Sequence, residues 1–271
     1  KYLKPENYID AAENDNTFTE SPIDIALKRD ASNYRVLDMR GGIQNAFNGG
    51  ALVAYHHNTV GGYNPAKLSI YQDLIENQWY KFPNCLPVVN MMNTKYVITG
   101  NIATDTIANP EALGNVWFVK GIEYKKGPAE VMSSLSNFNP KHTAIIEEKD
   151  KLNDLTAITY DSAATINLVD NKNDIVTYIS NASQKQFAVF SEVYYKLGWK
   201  AYIDEVESPI IKTNYVLRGL VVPAGKHNIR FEFKPSSIAM AQRASAMASI
   251  ILWGLLIGII IKSFKKENSL S

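Results

Sequence analysis

The stretch VLRGLVVPAGKHNIRFEF, Val216 to Phe233, carries two apolar segments on either side of Pro223-Ala224-Gly225-Lys226. From Asn228 to Phe233 the residues alternate. Ile229, Phe231 and Phe233 are assigned inward and Asn228, Arg230 and Glu232 outward, the period of a half-buried strand. A proline and a glycine between the segments favour a tight turn, so the stretch is expected to form a hairpin. Upstream, further short strands are expected at Thr143 to Ile146, Thr156 to Val169 (broken near Asp161-Ser162), Ile175 to Ser180 and Phe187 to Val193. Ala201 to Ile203 and Ser208 to Ile211 follow, with Asp204, Glu205 and Glu207 in a turn between them. About eight short strands punctuated by turn residues point to a β-sandwich, jelly-roll-like, over residues 143–235.

Immediately downstream the character of the chain changes. Ala244 to Ile261, ASAMASIILWGLLIGIII, is eighteen residues without a charge. As a helix it spans roughly 27 Å, against ~30 Å for a bilayer's hydrocarbon core. Arg243 at one end and Lys262, Lys265 and Lys266 at the other are placed to reach the interfaces. A transmembrane helix is expected over 236–262, with 263–271 as a cytoplasmic tail by the positive-inside rule. Arg230, Lys234 and Arg243 blunt that charge asymmetry. Large folded domains translocate largely regardless of charge, so residues 1–235 are assigned to the extracytoplasmic face. The chain opens Lys-Tyr-Leu-Lys with neither Met nor an apolar signal core, which leads to the expectation of a C-terminal piece of a longer membrane protein.

The region before the sandwich mixes element types. Residues 1–29 are polar and read as an arm or linker, with a short helix from Ser21-Pro22 through Leu27. Over 30–127, Tyr34 to Asp38, Tyr96 to Thr99 and Val116 to Val119 read as strands. Pro65 to Asn77 and Pro87 to Met92 read as helices. These alternating elements suggest a small α/β domain, joined to the sandwich by a helical connection over 128–142. The fold class is α+β.

Composition narrows the chemistry. Lys and Arg number 28 and Asp and Glu 27, so no basic excess marks a nucleic-acid binder. Three of those basic and one of those acidic residues lie beyond Ala244, which leaves the rest of the chain at −1 and without long-range steering of a polyanion. The lone Cys85 excludes an intrachain disulfide framework and any zinc site of several cysteines. His56 and His57 would point to opposite faces of a strand, poor geometry for a shared metal. No nucleotide-binding, nucleophile-elbow or HExxH motif is present, and no cofactor is expected.

Several blocks resemble the bacterial YfhO-type membrane proteins. They are Val60-Gly61-Gly62-Tyr63-Asn64-Pro65-Ala66-Lys67-Leu68 with Tyr71 to Ile75, Val89 to Ile98, and Asn109-Pro110-Glu111 through Val119. Ser191-Glu192-Val193-Tyr194-Tyr195 leading to Gly198-Trp199-Lys200-Ala201-Tyr202-Ile203-Asp204, and Asn214 to His227, complete the set. The resemblance covers roughly 30–262. It implies a polytopic protein of the GT-C glycosyltransferase-like class, with an upstream transmembrane domain, a polyprenyl-phosphate-linked sugar donor and an envelope glycan acceptor. It also implies the bacterial cytoplasmic membrane. In such enzymes the key acidic residue lies near the N-terminus of the protein, so no catalytic residue is carried onto this chain.

The expected role is therefore acceptor positioning. Candidate contacts are the turn Gly61, Gly62, Tyr63 and the cluster Tyr194, Tyr195, Trp199, Lys200 and Tyr202. Aromatic rings with polar edges suit an amphipathic ligand, and equally suit a membrane-interface belt or a sandwich core. The competing readings are a non-catalytic structural or interaction ectodomain and an independent hydrolase. The first is marked by a broad apolar surface without a cleft, and the second needs a carboxylate pair across a pocket.

Overall fold

The computed structural model describes residues 4, 8, 10, 18–151 and 160–267. Residues 156–159 of the strand expected from Thr156, most of residues 1–17 of the expected 1–29 arm and the last four residues lie outside this set. Among the described residues the fold is α+β, with a sandwich and one C-terminal apolar helix. Its centre is β9 (Gln186–Val193), whose first six residues are all buried. Successive residues of a strand face opposite ways. Phe187 and Val189 therefore enter one core, while Ala188 and Phe190 enter another.

Four strands make that central sheet, in the order β12 (Ile211–Thr213), β13 (Leu217–Val222), β9 and β4 (Val116–Phe118), all antiparallel. One face packs on a five-stranded antiparallel sheet. Its order is β11 (Val206–Ser208), β10 (Trp199–Ile203), β14 (Gly225–Phe233), β8 (Ile175–Ala182) and β7 (Thr165–Asn171). Between the sheets, Tyr178, Phe190 and Phe231 meet edge-on with ring centroids 4.8–6.0 Å apart. That is the geometry the aromatic quadrupole favours.

The other face of the central sheet meets the N-terminal elements. These include parallel β1 (Arg35–Asp38) and β2 (Thr94–Ile98), with β3 (Thr106–Ala108) at their edge, and the parallel pair β5 (Gly121–Lys125) and β6 (Thr143–Glu147). Helices α1 (Pro22–Leu27), α2 (Gly42–Asn48), α3 (Val53–His56), α4 (Ser69–Asn77), α5 (Leu86–Met91) and α6 (Pro128–Ser134) complete this part. Leu74, Trp79, Met91 and Ile145 share its core with Phe187 and Leu217 of the central sheet.

Several expectations are corrected. Val216 to Phe233 does not form a hairpin. β13 pairs with β9 and β12, whereas β14 pairs with β10 and β8, so Pro223 to Gly225 is an arch between sheets. The physical reason is burial: β13 is covered on both faces, while β14 keeps Arg230 and Glu232 on an outer face. Gly225, at φ +119°, allows the chain to turn the corner. Ser208 to Ile211 is likewise split between two sheets across Pro209, which cannot donate to a ladder. Val116 to Phe118, read with the α/β part, is the edge strand of the central sheet.

The helix expected from Pro65 starts at Ser69, because Leu68 is extended and Asn64 Oδ1 accepts from Ala66 N in a turn. His56 and His57 close a short helix and do not lie on a strand. The 128–142 connection is helical only through Ser134. Pro235 ends the strand region, and helix α7 runs Ser236–Glu267, through residues read as tail. Its segment Met240–Ile259 is long and apolar enough to cross a membrane, with mean hydropathy 1.4 and none of it buried.

Asn214 joins the central sheet to the N-terminal core. Its Oδ1 accepts from Ile145 N at 2.8 Å, and its own N donates to Ile145 O at 2.8 Å. It is fully buried and left-handed, at φ +47°. Asn214→Gly keeps the backbone conformation but leaves the Ile145 amide unpaired, a loss of about 1–3 kcal/mol. Asn214→Ala adds left-handed strain of roughly 1 kcal/mol. Thermal unfolding in mild detergent is expected to rank wild type above Gly above Ala; an unchanged midpoint in both variants would remove Asn214 from this joint.

Candidate functional site

Where β9 leaves its double cover, its last two residues, Glu192 and Val193, are only half-buried. Two cavities open there. The first, about 330 Å³, is lined by Thr59, Gly61, Gly62, Asn64, Lys67 and Tyr71 among others. A second, about 390 Å³, is lined by Asn33, Asn58, Asn171, Lys172, Asn173, Val176, Glu192 and Trp199. Arg35 and Thr59 line both, so the two form one groove with Arg35 at its middle.

Arg35 sits at the start of β1 and is held from three directions. Its Nη1 donates to Ser191 O at 2.6 Å and to Met92 O at 3.2 Å, and its Nη2 to Glu192 Oε1 at 2.8 Å. The guanidinium therefore ties the N-terminal part to β9 and neutralises the groove's carboxylate. Among the described residues Glu192 is the one carboxylate lining either cavity. Acid–base hydrolysis of a glycosidic bond uses two. No three His, Cys, Asp or Glu side chains among the described residues are grouped to hold a metal.

The Gly61-Gly62 turn shapes the first cavity by close approach. A side chain at Gly61 would collide with the Ala46 carbonyl oxygen, and Gly62 lies at φ +99°. Gly62 N donates to Ala46 O at 2.7 Å, so the turn is pinned on α2. At the other end Trp199 is backed by Arg218, whose guanidinium lies 4.0 Å from the ring centroid. Arg218 is only 3% exposed, and its Nε donates to Val193 O at 3.0 Å. Burial pushes its pKa down to about 10, against the opposing pull of Glu192, and it stays charged at neutral pH.

Of the eight sequence-predicted contacts, Gly61, Gly62 and Trp199 come together along this groove. Tyr63 is adjacent in sequence, 59% exposed, and does not line it. Tyr194 lines a separate cavity of about 190 Å³ with Lys149, Asp150 and Lys212. Tyr195 lies beside Phe233, with ring centroids 6.3 Å apart. Lys200 and Tyr202 occupy the outer face of β10. Lys200 pairs there with Glu207 at 2.9 Å, and Arg230 lies 4.3 Å from the Tyr202 ring. Sequence reasoning missed Arg35, Asn33, Asn58, Thr59, Asn171 and Asn173 as groove residues. Their common signal is polar residues at element ends in segments far apart in sequence.

No family model matches the chain, and no curated protein or solved structure matches it either. The fold and the groove define an α+β protein with a C-terminal helix long and apolar enough to cross a membrane and a polar cleft between its sandwich and its N-terminal core.

Outside the groove, one titratable pair has definite pH behaviour. His227 Nδ1 lies 2.6 Å from Asp204 Oδ2, and Nε2 lies 3.1 Å from Ala224 O. Two acceptors call for two N–H donors, which is the imidazolium. The Asp204 hydrogen bond accordingly raises the His227 pKa above 6.5, and the His227 hydrogen bond lowers that of Asp204 below 3.8. The contribution of His227 is complete below pH 6.5 and is lost as pH rises through its folded value. That of Asp204 is present above 3.8 and is lost as pH falls through its lowered value. An NMR titration is expected to place the His227 midpoint above 6.5, and Asp204→Asn to bring it down. A midpoint at or below 6.5 in the native protein would contradict the pairing.

Proposed function

We propose that this chain is the extracytoplasmic, membrane-proximal part of a glycosyltransferase-like protein of the bacterial cytoplasmic membrane. In this reading the groove holds an envelope glycan or polymer acceptor while sugar arrives from a polyprenyl-phosphate-linked donor. The chain positions and does not itself catalyse. The upstream transmembrane domain of the same protein supplies the chemistry, α7 crosses the bilayer, and residues 1–235 face outward.

The observation that carries the reading is the groove's chemistry. Asn33, Asn58, Asn171 and Asn173 offer paired donors and acceptors without net charge, Thr59 adds a hydroxyl, and Trp199 supplies an indole at one end. Sugar rings present hydroxyls around their edge and C–H groups on their faces, so amides beside an aromatic face suit them. The single carboxylate, already paired with Arg35, supports positioning over hydrolysis. The sequence blocks that resemble the YfhO-type proteins supply the membrane context.

A structural or interaction role is the second reading. It is favoured by the exposed Phe18 and Tyr55, whose rings meet at a tilt of 48° with centroids 4.9 Å apart on the N-terminal part.

Asn58 and Asn171 are exposed, so truncating both is expected to move stability by less than about 1 kcal/mol. Loss of two ligand hydrogen bonds, at about 1 kcal/mol each, weakens acceptor binding roughly thirtyfold. In a strain lacking the gene, envelope glycan composition or linkage is expected to change. Wild type is expected to restore it, and the Asn58→Ala/Asn171→Ala variant to restore it only partly at equal protein level. Unchanged glycans on deletion, under conditions where the protein is expressed, would overturn the transferase reading and leave the interaction reading.

A further inference from the structure

The last strand residues before α7 are stitched to two loops. Phe233 N donates to Asp174 O at 2.7 Å, and Lys234 N donates to Gly198 O at 2.7 Å. The β9–β10 loop, Tyr194 to Gly198, is therefore fixed beside the point where the chain enters the helix. Gly198 is packed so closely on the Phe233 ring that any side chain there would collide with it. From Ser236 to Met240, where the apolar segment begins, the helix rises only about 6 Å.

At the loop's tip stands Leu197, 72% exposed, between the exposed Lys196 and the buried Gly198. A single exposed leucine is ordinary on a soluble surface. This one shares its loop with Tyr195 and lies beside a helix whose apolar residues are likewise uncovered. The exposed charges around it are of both signs, with Asp170 and Asp174 beside Lys172, Lys196 and Lys234. Lys172 and Lys234 are both exposed and are paired with Asp170 at 3.1 Å and Glu232 at 3.5 Å. Lys196 makes no ion pair among the described residues, and Arg243 lies exposed on the first turns of the helix. An apolar tip, a tyrosine and exposed cationic side chains near the start of such a helix form the residue set that settles at a membrane–water interface.

We propose that the loop Tyr194 to Gly198 docks into the headgroup layer of the bilayer that α7 crosses. Leu197 reaches the acyl boundary, the Tyr195 ring lies at headgroup depth, and Lys196 and Lys234 lie among the lipid phosphates. The proposal rests on α7 spanning the membrane and is independent of what the groove binds. It gives the exposed Leu197 a partner of defined chemistry, a phospholipid surface.

The test uses the full chain reconstituted in phosphatidylethanolamine–phosphatidylglycerol vesicles, with an environment-sensitive fluorophore on a single introduced cysteine. The native Cys85 is fully buried and is not expected to label. Leu197→Cys is expected to show blue-shifted emission that is lost with lipids brominated near the headgroup end of the acyl chain. Val206→Cys, 70% exposed in the hairpin at the far end of β10, is expected to stay water-like and unquenched. Leu252→Cys, within the apolar segment, is expected to be quenched by deeply brominated lipid. A water-like Leu197 label beside a quenched Leu252 label would overturn the docking while leaving the membrane span intact. A shifted Leu197 emission that brominated lipid does not quench would mean protein, not lipid, covers the loop, and would also overturn it. A water-like Leu252 label would remove the span and the docking together.

Discussion

The structure depends on a single constraint, a four-stranded sheet that must be apolar on both faces. Along β9, Phe187 and Val189 serve one core while Ala188 and Phe190 serve the other, and Gln186 and Ser191 are buried at the ends of the run. Each fully buried large apolar side chain contributes about 1.5–3 kcal/mol. Neither the outer sheet nor the helical part can be removed without exposing one side of β9. The α/β part and the sandwich are thus two coverings of one sheet. Close packing carries the requirement into detail: a side chain at Gly219 of β13 would collide with the Phe187 ring. The groove follows from the same constraint, since it opens where β9 outruns both coverings at Glu192 and Val193.

That end of the sheet concentrates charge. Arg35 approaches from the N-terminal part and Arg218 from inside the sandwich, with Glu192 between them in sequence and in field. A buried guanidinium is costly unless its hydrogens and its flat faces are used. Arg218 uses its Nε on Val193 O and its faces on Trp199 and Phe231, while its Nη1 has no hydrogen-bond partner among the described residues. The arrangement stiffens Trp199, because an indole stacked on an arginine that is itself fixed by backbone has little freedom to turn. The aromatic end of the groove is therefore a fixed platform, whereas the Asn171 to Asn173 end is an exposed turn.

Strand and helix character was legible wherever a local pattern carried it. The alternation of Asn228 to Phe233, the prolines opening α1, α5 and α6, and the uncharged run in α7 all reflect forces acting within one element. Pairing between elements was less legible. Val216 to Val222 is apolar at nearly every position, whereas Asn228 to Phe233 alternates; one strand needs two covered faces and the other only one. That difference in period already separates them into different sheets, although the turn between them has a hairpin's composition. Strand parity likewise separates Trp199 from Lys200 and Tyr202, which a count of aromatics grouped together. The groove had no local signature, because residues 33–35, 58–59, 171–173, 192 and 199 meet only through the tertiary fold.

The junction between sheet and helix then fixes how the groove sits relative to α7. β14 keeps sheet-like hydrogen bonds up to Lys234, and Pro235 cannot donate to a ladder. Its carbonyl instead accepts from Ile238 N at 3.2 Å, opening the helix within one residue of the last sheet bond. A connection this short leaves few free torsions. The Asp174 carbonyl that anchors Phe233 follows directly on Asn171 to Asn173, the polar end of the groove, and Gly198, which anchors Lys234, precedes Trp199. The two residues that hold the helix start are thus chain neighbours of two groove walls. On the reading that α7 crosses a bilayer, a ligand in the groove lies at the membrane-proximal end of the sandwich, and its height above the lipid is set by two backbone hydrogen bonds and not by a flexible stalk.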